Sequence, residues 1–148
     1  MCKMAKSTSL LAASGSVATI KLTNITRALS KWPNVSIRII LTKSAEEFLQ
    51  GQSAEQPALS SLLEIPNVGG VHRDEDEWQN PWVRGDKILH IELRRWAHIL
   101  LVAPLSANSL AKMTIGLADN LLLSVIRAWD TTGLIDVHKT KPRIFVAL

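Results

Sequence analysis

A short apolar run, Ile99-Leu100-Leu101-Val102-Ala103, breaks at Pro104, passes through Leu105-Ser106-Ala107-Asn108 and opens a helical pattern that continues past Lys112. A strand that ends in small polar residues just ahead of a helix places hydroxyls and unpaired N–H donors at its carboxyl end. Open α/β sheets bind ligands at that position. The same junction occurs twice more. Ser9 to Ala13 reads as a buried strand, Ser14-Gly15-Ser16 turns the chain, and a helix runs to about Leu29. Val35 to Leu41 is an apolar run rich in β-branched residues, typical of a central parallel strand, followed by Thr42-Lys43-Ser44 and a helix starting over Ala45 to Leu49. Three strand-to-helix junctions of one kind predict a doubly wound α/β fold with a mostly parallel sheet in three layers.

The intervening segments are assigned by punctuation and periodicity. Lys31 to Asn34 is a turn around Pro33, and the polar Gln50 to Gln56 reads as a loop. Ala58 to Ile65 is mixed apolar, and Pro66-Asn67-Val68-Gly69-Gly70 reads as a turn. The charged run Arg73 to Glu77 reads as a solvated loop ending at Trp78, and Trp82 to Gly85 is a further loop. His90 to Trp96 is expected to be a short helix with one buried face, and Ala97 to Ala103 a strand. Ser106 to Trp129 is mostly helical, divided near Gly116 and Asp119-Asn120. Thr131 to Thr140 is a loop and Arg143 to Leu148 a last strand.

The chain has 148 residues and 47% hydrophobic content, which suit one domain over 1–148 with an ordinary core. No apolar run approaches the roughly 20 residues that span a bilayer, and Ser14-Gly15-Ser16 interrupts any leader-like stretch. The expectation is a soluble cytoplasmic protein with no membrane partner. Cys2 is the sole cysteine, so no intrachain disulfide forms, and it is given no catalytic or metal role. Seventeen Lys and Arg against thirteen Asp and Glu leave a net charge of +4, but the cations are scattered and form no basic block. That pattern argues for an anionic small molecule rather than nucleic acid.

Each candidate site residue carries a bland alternative. Gly15 brings backbone close to an anion, and the Ser14 and Ser16 hydroxyls suit phosphate oxygens. Ordinary N-capping explains the serines equally. The three-glycine dinucleotide fingerprint and the P-loop Lys are both absent, so a monophosphate fits better than a dinucleotide. Thr42 and Ser44 occupy the same sheet edge as hydrogen-bonding groups or as helix caps. Ser106 caps a helix, Ala107 allows close approach, and Asn108 offers a donor and an acceptor to a planar polar ring. His90 is a candidate base, with a structural histidine as its alternative. No nucleophile elbow is present, and His72, His98 and His138 make no zinc spacing with His90, so no metal is expected. Lys112 belongs to the helix surface. Asp119-Asn120 forms a cofactor wall, a subunit contact or a cap. Arg127 to Asp130 forms an interface anchor or a core boundary.

Taken in order, Gly15-Ser16-Val17-Ala18, His90-Ile91-Glu92-Leu93-Arg94-Arg95-Trp96, Ala103-Pro104-Leu105-Ser106-Ala107-Asn108 and Arg127-Ala128-Trp129-Asp130 resemble the phosphopantothenoylcysteine decarboxylase family of homo-oligomeric flavin-containing cysteine decarboxylases. The likeness runs from about Lys6 to Asp130 and resumes over Lys141 to Ala147. It implies a flavodoxin-like or Rossmann-like form of the α/β fold, an FMN cofactor and a homo-oligomer, commonly a trimer, with the flavin near a subunit boundary. It places Gly15, Ser16 and Val17 by the flavin phosphate, Thr42 and Ser44 beside the cofactor, and Ser106, Ala107 and Asn108 along the flavin site. His90 becomes the catalytic base. The implied reaction is decarboxylation of the cysteine unit of 4′-phosphopantothenoylcysteine to give 4′-phosphopantetheine for coenzyme A synthesis, with FMN carrying the electrons. The chain departs from the family in two ways. Thr131 to Thr140 replaces a shorter connection, and the family's Pro-Ala-Met-Asn segment does not follow the last strand before Leu148. The expectation is a C-terminally truncated chain without the family's substrate-binding part. The alternative reading is a noncatalytic FMN-binding or regulatory subunit that assembles with a complete homologue.

Overall fold

The computed structural model describes residues 6–135 and 143–148. Cys2, His138 and residues 136–140 of the expected 131–140 loop lie outside the described residues, as do Lys141 and Pro142 of the family-like segment. Strands β1 (Ser7–Ala13), β2 (Val35–Leu41), β5 (Val68–Arg73), β6 (Ile99–Val102) and β7 (Arg143–Val146) form one sheet in the order β5-β2-β1-β6-β7. Every pairing in it is parallel. The chain winds outward from β1 through β2 to β5, then returns to the other side of β1 for β6 and β7. That order selects the Rossmann-like alternative over the flavodoxin-like one, and its switch point lies between β1 and β6.

The two central strands bury both faces, which explains their nearly unbroken apolar sequences. Leu10, Ala12 and Ile40 face one side, where they pack with Leu93, Leu122 and Trp129. Leu11, Ala13, Ile37, Ile39 and Leu41 face the other, against Leu22 and Leu62. Helices α4 (Leu89–Trp96) and α6 (Leu121–Arg127) therefore cover the first face, and α1 (Leu22–Ser30) and α3 (Ser60–Leu63) the second. The three layers expected from the sequence are present. A 3-10 turn over Val17–Lys21 leads into α1, and α5 (Ala107–Ile115) is separated from α6 by the break at Gly116, which ends α5 in a left-handed conformation.

Three segments differ from their sequence reading. Gln50 to Gln56 is not a plain loop: β3 (Gln50–Ser53) and β4 (Gln56–Ala58) pair as an antiparallel hairpin. Its residues are small or polar and mostly exposed, so no apolar alternation marks it, and the backbone ladder alone defines it. In Pro66 to Gly70 the turn is confined to Pro66 and Asn67, the latter with a φ of 69°, and Val68, Gly69 and Gly70 lie inside edge strand β5. Pairing with β2 overrides the weak strand preference of the two glycines. The acidic run Asp74–Trp78 is a 3-10 turn rather than a solvated loop, and two of its carboxylates hold other elements in place. Among the described residues no helix is long and apolar enough to cross a membrane. No metal-holding group of acidic, histidine or cysteine side chains occurs among them either.

Candidate functional site

The carboxyl ends of β1 and β6 are fastened together by Ser14. Its hydroxyl donates to the Pro104 carbonyl at 3.3 Å and accepts from the Ser106 N–H at 2.7 Å, while its own N–H donates to the same carbonyl at 3.0 Å. Ser14 is completely buried, so this hydroxyl is a structural staple and not the phosphate donor considered from sequence. Gly15 follows, and a Cβ there would collide with Ser44 Oγ and Cβ. The β1 and β2 junctions therefore touch, and glycine at 15 is what lets them.

Local sequence then places each polar group. Ser16 caps the 3-10 turn by accepting from the Ala18 N–H at 3.3 Å, and the neighbouring Val17 is 70% exposed. Thr42 caps α2 (Lys43–Glu46) by accepting from the Ala45 N–H at 3.3 Å, and its hydroxyl lies 3.2 Å from that of Ser44. Ser106 caps α5 by accepting from the Ser109 N–H at 3.2 Å, which leaves Ala107 and Asn108 exposed on the first turn. Asn120 caps α6 through the Leu123 N–H at 2.8 Å, and Asp74 accepts from the Leu121 N–H at 3.0 Å. Lys112 bridges to Asp119 at 2.6 Å across the break between α5 and α6.

Thr42, Ser44, Asn108, Lys112, Asp119 and Asn120 share one open recess of about 430 Å³, within the roughly 300–1,000 Å³ of small-molecule sites. Gly15 meets this recess only through its contact with Ser44, and Ser106 stands beside it as the cap of the helix bearing Asn108. A second recess of about 250 Å³ adjoins the first, sharing Asp74, Asp119 and Asn120, and His90 lines it. Asp119-Asn120 is thus both a cap and a wall. Lys112, read as helix surface, reaches the recess.

The sequence reading missed Asp74 and Glu77. Glu77 Oε1 lies 2.6 Å from His90 Nδ1, and Oε2 accepts from the His90 main-chain N–H at 3.2 Å. The Glu77 side chain is only 6% exposed, against 25% for His90. A run of acids usually marks solvent, and nothing local signals partners 13 and 47 residues downstream. Arg127 to Asp130 resolves as a core boundary. Trp129 is buried in the core, and Asp130 receives hydrogen bonds from the N–H groups of Thr132, Gly133 and Ile135 and from the Thr132 hydroxyl. Burial pushes the Asp130 carboxyl up, but these bonds outweigh it and hold the group well below the usual carboxylate range.

With this geometry in place, comparison with known proteins adds the relationship. The model of the family described as Flavoprotein matches residues 2–147. A phosphopantothenoylcysteine decarboxylase of Arabidopsis thaliana is 48% identical over 123 residues, covering 83% of this chain and 53% of the relative. One of Oryza sativa subsp. japonica is 46% identical over 121 residues, covering 82% and 49%. Among solved structures, a mutant PPC decarboxylase superposes with a TM-score of 0.74 at 43% identity, covering 95% of this chain and 69% of that one. The FMN binding protein AtHal3 gives 0.73 at 44% identity, covering 95% and 64%. The chain spans about half the length of the curated relatives it matches. A match over nearly its whole length, joined to a Rossmann-like sheet with a polar recess at its switch point, means that the chain belongs to the flavoprotein family, alongside the phosphopantothenoylcysteine decarboxylases.

Proposed function

We propose that residues 1–148 form one FMN-binding domain whose reaction is decarboxylation of 4′-phosphopantothenoylcysteine to 4′-phosphopantetheine, in a cytoplasmic homo-oligomer, a trimer by family analogy. One observation carries this reading: Thr42 and Ser44 from one junction and Asn108 from another line a common recess beside the one lined by His90. The relatives' names as phosphopantothenoylcysteine decarboxylases and as an FMN binding protein agree with it.

The residues present fit a flavin mononucleotide. Gly15 keeps the backbone free of a Cβ where two junctions meet, and the Val17 N–H at the start of the turn is a donor for an anion, the Ala18 and Thr19 N–H groups being bonded to Ser16. Ser16 uses its oxygen as the cap acceptor, which leaves its hydroxyl proton for a phosphate oxygen. Thr42 and Ser44 supply hydroxyls along the recess, and Asn108 supplies an amide beside Ser106 and Ala107. When bound, FMN supplies two-electron chemistry. The chain's own residues orient the substrate and manage protons, with His90 accepting one at Nε2 from the cysteine unit.

Native mass spectrometry with and without FMN reads cofactor occupancy and assembly together, and a carbon dioxide and 4′-phosphopantetheine assay reads catalysis. His90→Asn is expected to keep the flavin and lower turnover by roughly 10²–10⁴-fold, the usual contribution of a positioned base. Unchanged turnover rejects that role. Asn108→Asp replaces a donor and acceptor with an anion and should weaken FMN binding about tenfold or more in a titration. Product formed only after adding a complete homologue would favour the subunit reading instead.

A further inference from the structure

We propose that Glu77 is the positioning residue for His90, clamping ring and backbone so that the imidazole keeps its proton on Nδ1 and presents an unprotonated Nε2 to the adjoining recess. The proposal deepens the function proposed above and rests on His90 acting there as the base.

The clamp has two contacts. Glu77 Oε1 sits 2.6 Å from His90 Nδ1, and Oε2 accepts the His90 main-chain N–H at 3.2 Å. His90 is the second residue of α4, where backbone N–H groups lack intrahelical partners, and the preceding Ile88 provides no side-chain cap. One carboxylate therefore caps the helix and fixes the ring carried by it. An ionised carboxylate only accepts hydrogen bonds, so the nitrogen facing it must carry hydrogen. That assigns the Nδ1–H form to the neutral ring and leaves the lone pair on Nε2. Among the described residues nothing bonds Nε2, and the ring lines the recess with Asp119 and Asn120. The two residues differ in exposure in the expected sense. The Glu77 side chain is 6% exposed, shielded from water that would compete for its oxygens, while His90 at 25% stays accessible.

Substitution by glutamine separates this role from simple packing. A Gln side chain keeps one acceptor oxygen and places an NH₂ donor where the second oxygen stood. With its oxygen on the His90 N–H, the NH₂ faces Nδ1, which must then accept, and the ring proton moves to Nε2.

The test is long-range ¹H–¹⁵N correlation on the histidine-labelled chain, recorded on the neutral rings, with His90→Asn used to assign the His90 signals. The expected result is an Nδ1–H pattern for His90 in the unmodified chain, converted towards Nε2–H in Glu77→Gln. An Nε2–H pattern in the unmodified chain overturns the proposal without any variant having to fold, and so does an unchanged pattern in Glu77→Gln. In the decarboxylation assay, Glu77→Gln should lower kcat on the order of 100-fold with KM altered by less than about threefold, because the recess keeps its shape while the base loses its lone pair. The two readings fail separately. An Nδ1–H ring whose removal in His90→Asn costs no turnover sinks the catalytic reading and leaves the clamp standing. The wrong tautomer sinks the clamp whatever the turnover.

Discussion

At the scale of single residues, Gly15 is the most sharply constrained position, since a methyl group there meets Ser44 and not open solvent. Gly15→Ala should lower unfolding free energy by about 1–3 kcal/mol in urea titrations, the usual cost of overpacking. Ser44→Gly in the same chain should recover part of that loss, giving a non-additive double-mutant cycle; full additivity would mean that the junctions do not touch. The position of Thr42, Ser44, Ser106 and Asn108 at the carboxyl edge of the sheet was legible from sequence because each lies at a strand-to-helix junction. Ser14 shows the limit of that logic. Its type and position suit a phosphate, but its hydroxyl is spent on Pro104 and Ser106. Glu77 and Asp74 were hidden for a related reason, because their roles depend on where the turn folds back and not on their neighbours in the chain.

Among the elements, α6 starts against the acidic turn. Its first N–H groups are held by Asn120 within the chain segment and by Asp74 from across the recess. Asp74→Ala is expected to destabilise the protein by about 1 kcal/mol by leaving the Leu121 N–H without its acceptor, whereas Asp74→Asn keeps an oxygen there and costs less. Thermal melts of the two variants side by side check the difference. Central strands and the long helices were readable because burial on both faces, or on one stripe, writes a strong period into the sequence. The β3–β4 hairpin and β5 were not. The first holds only small or polar residues and the second contains two adjacent glycines, so both are defined by partners rather than by composition.

For the whole molecule, His72 and Asp130 both make stability decline as pH falls, while burial raises the Glu46 carboxyl above its ordinary value of 4.5 and acts in the opposite sense. His72, on edge strand β5, is held below its ordinary value near 6.5, first by burial and then by the Arg38 charge, with Asp76 opposing. Its neutral form is favoured in the folded chain, so the unfolded chain binds more protons over this range. The stability it contributes is complete above about pH 6.5 and declines as pH falls below that value. Asp130 adds a second decline below its ordinary value of 3.8, since its depressed carboxyl must be protonated on unfolding. Denaturation midpoints measured from pH 8 to pH 5 should fall, and His72→Gln should flatten that slope; a slope unchanged in the variant would assign it elsewhere.

The Ser14 to Ser106 fastening joins residues 92 apart in the chain. During synthesis the opening third emerges with β1 and its turn, yet that turn has nothing to close against until β6 and the following junction have been made. Because contacts between distant stretches form at a cost in loop-closure entropy, the turn after β1 is expected to be among the last regions to gain protection against hydrogen exchange during refolding, after the local helices have done so.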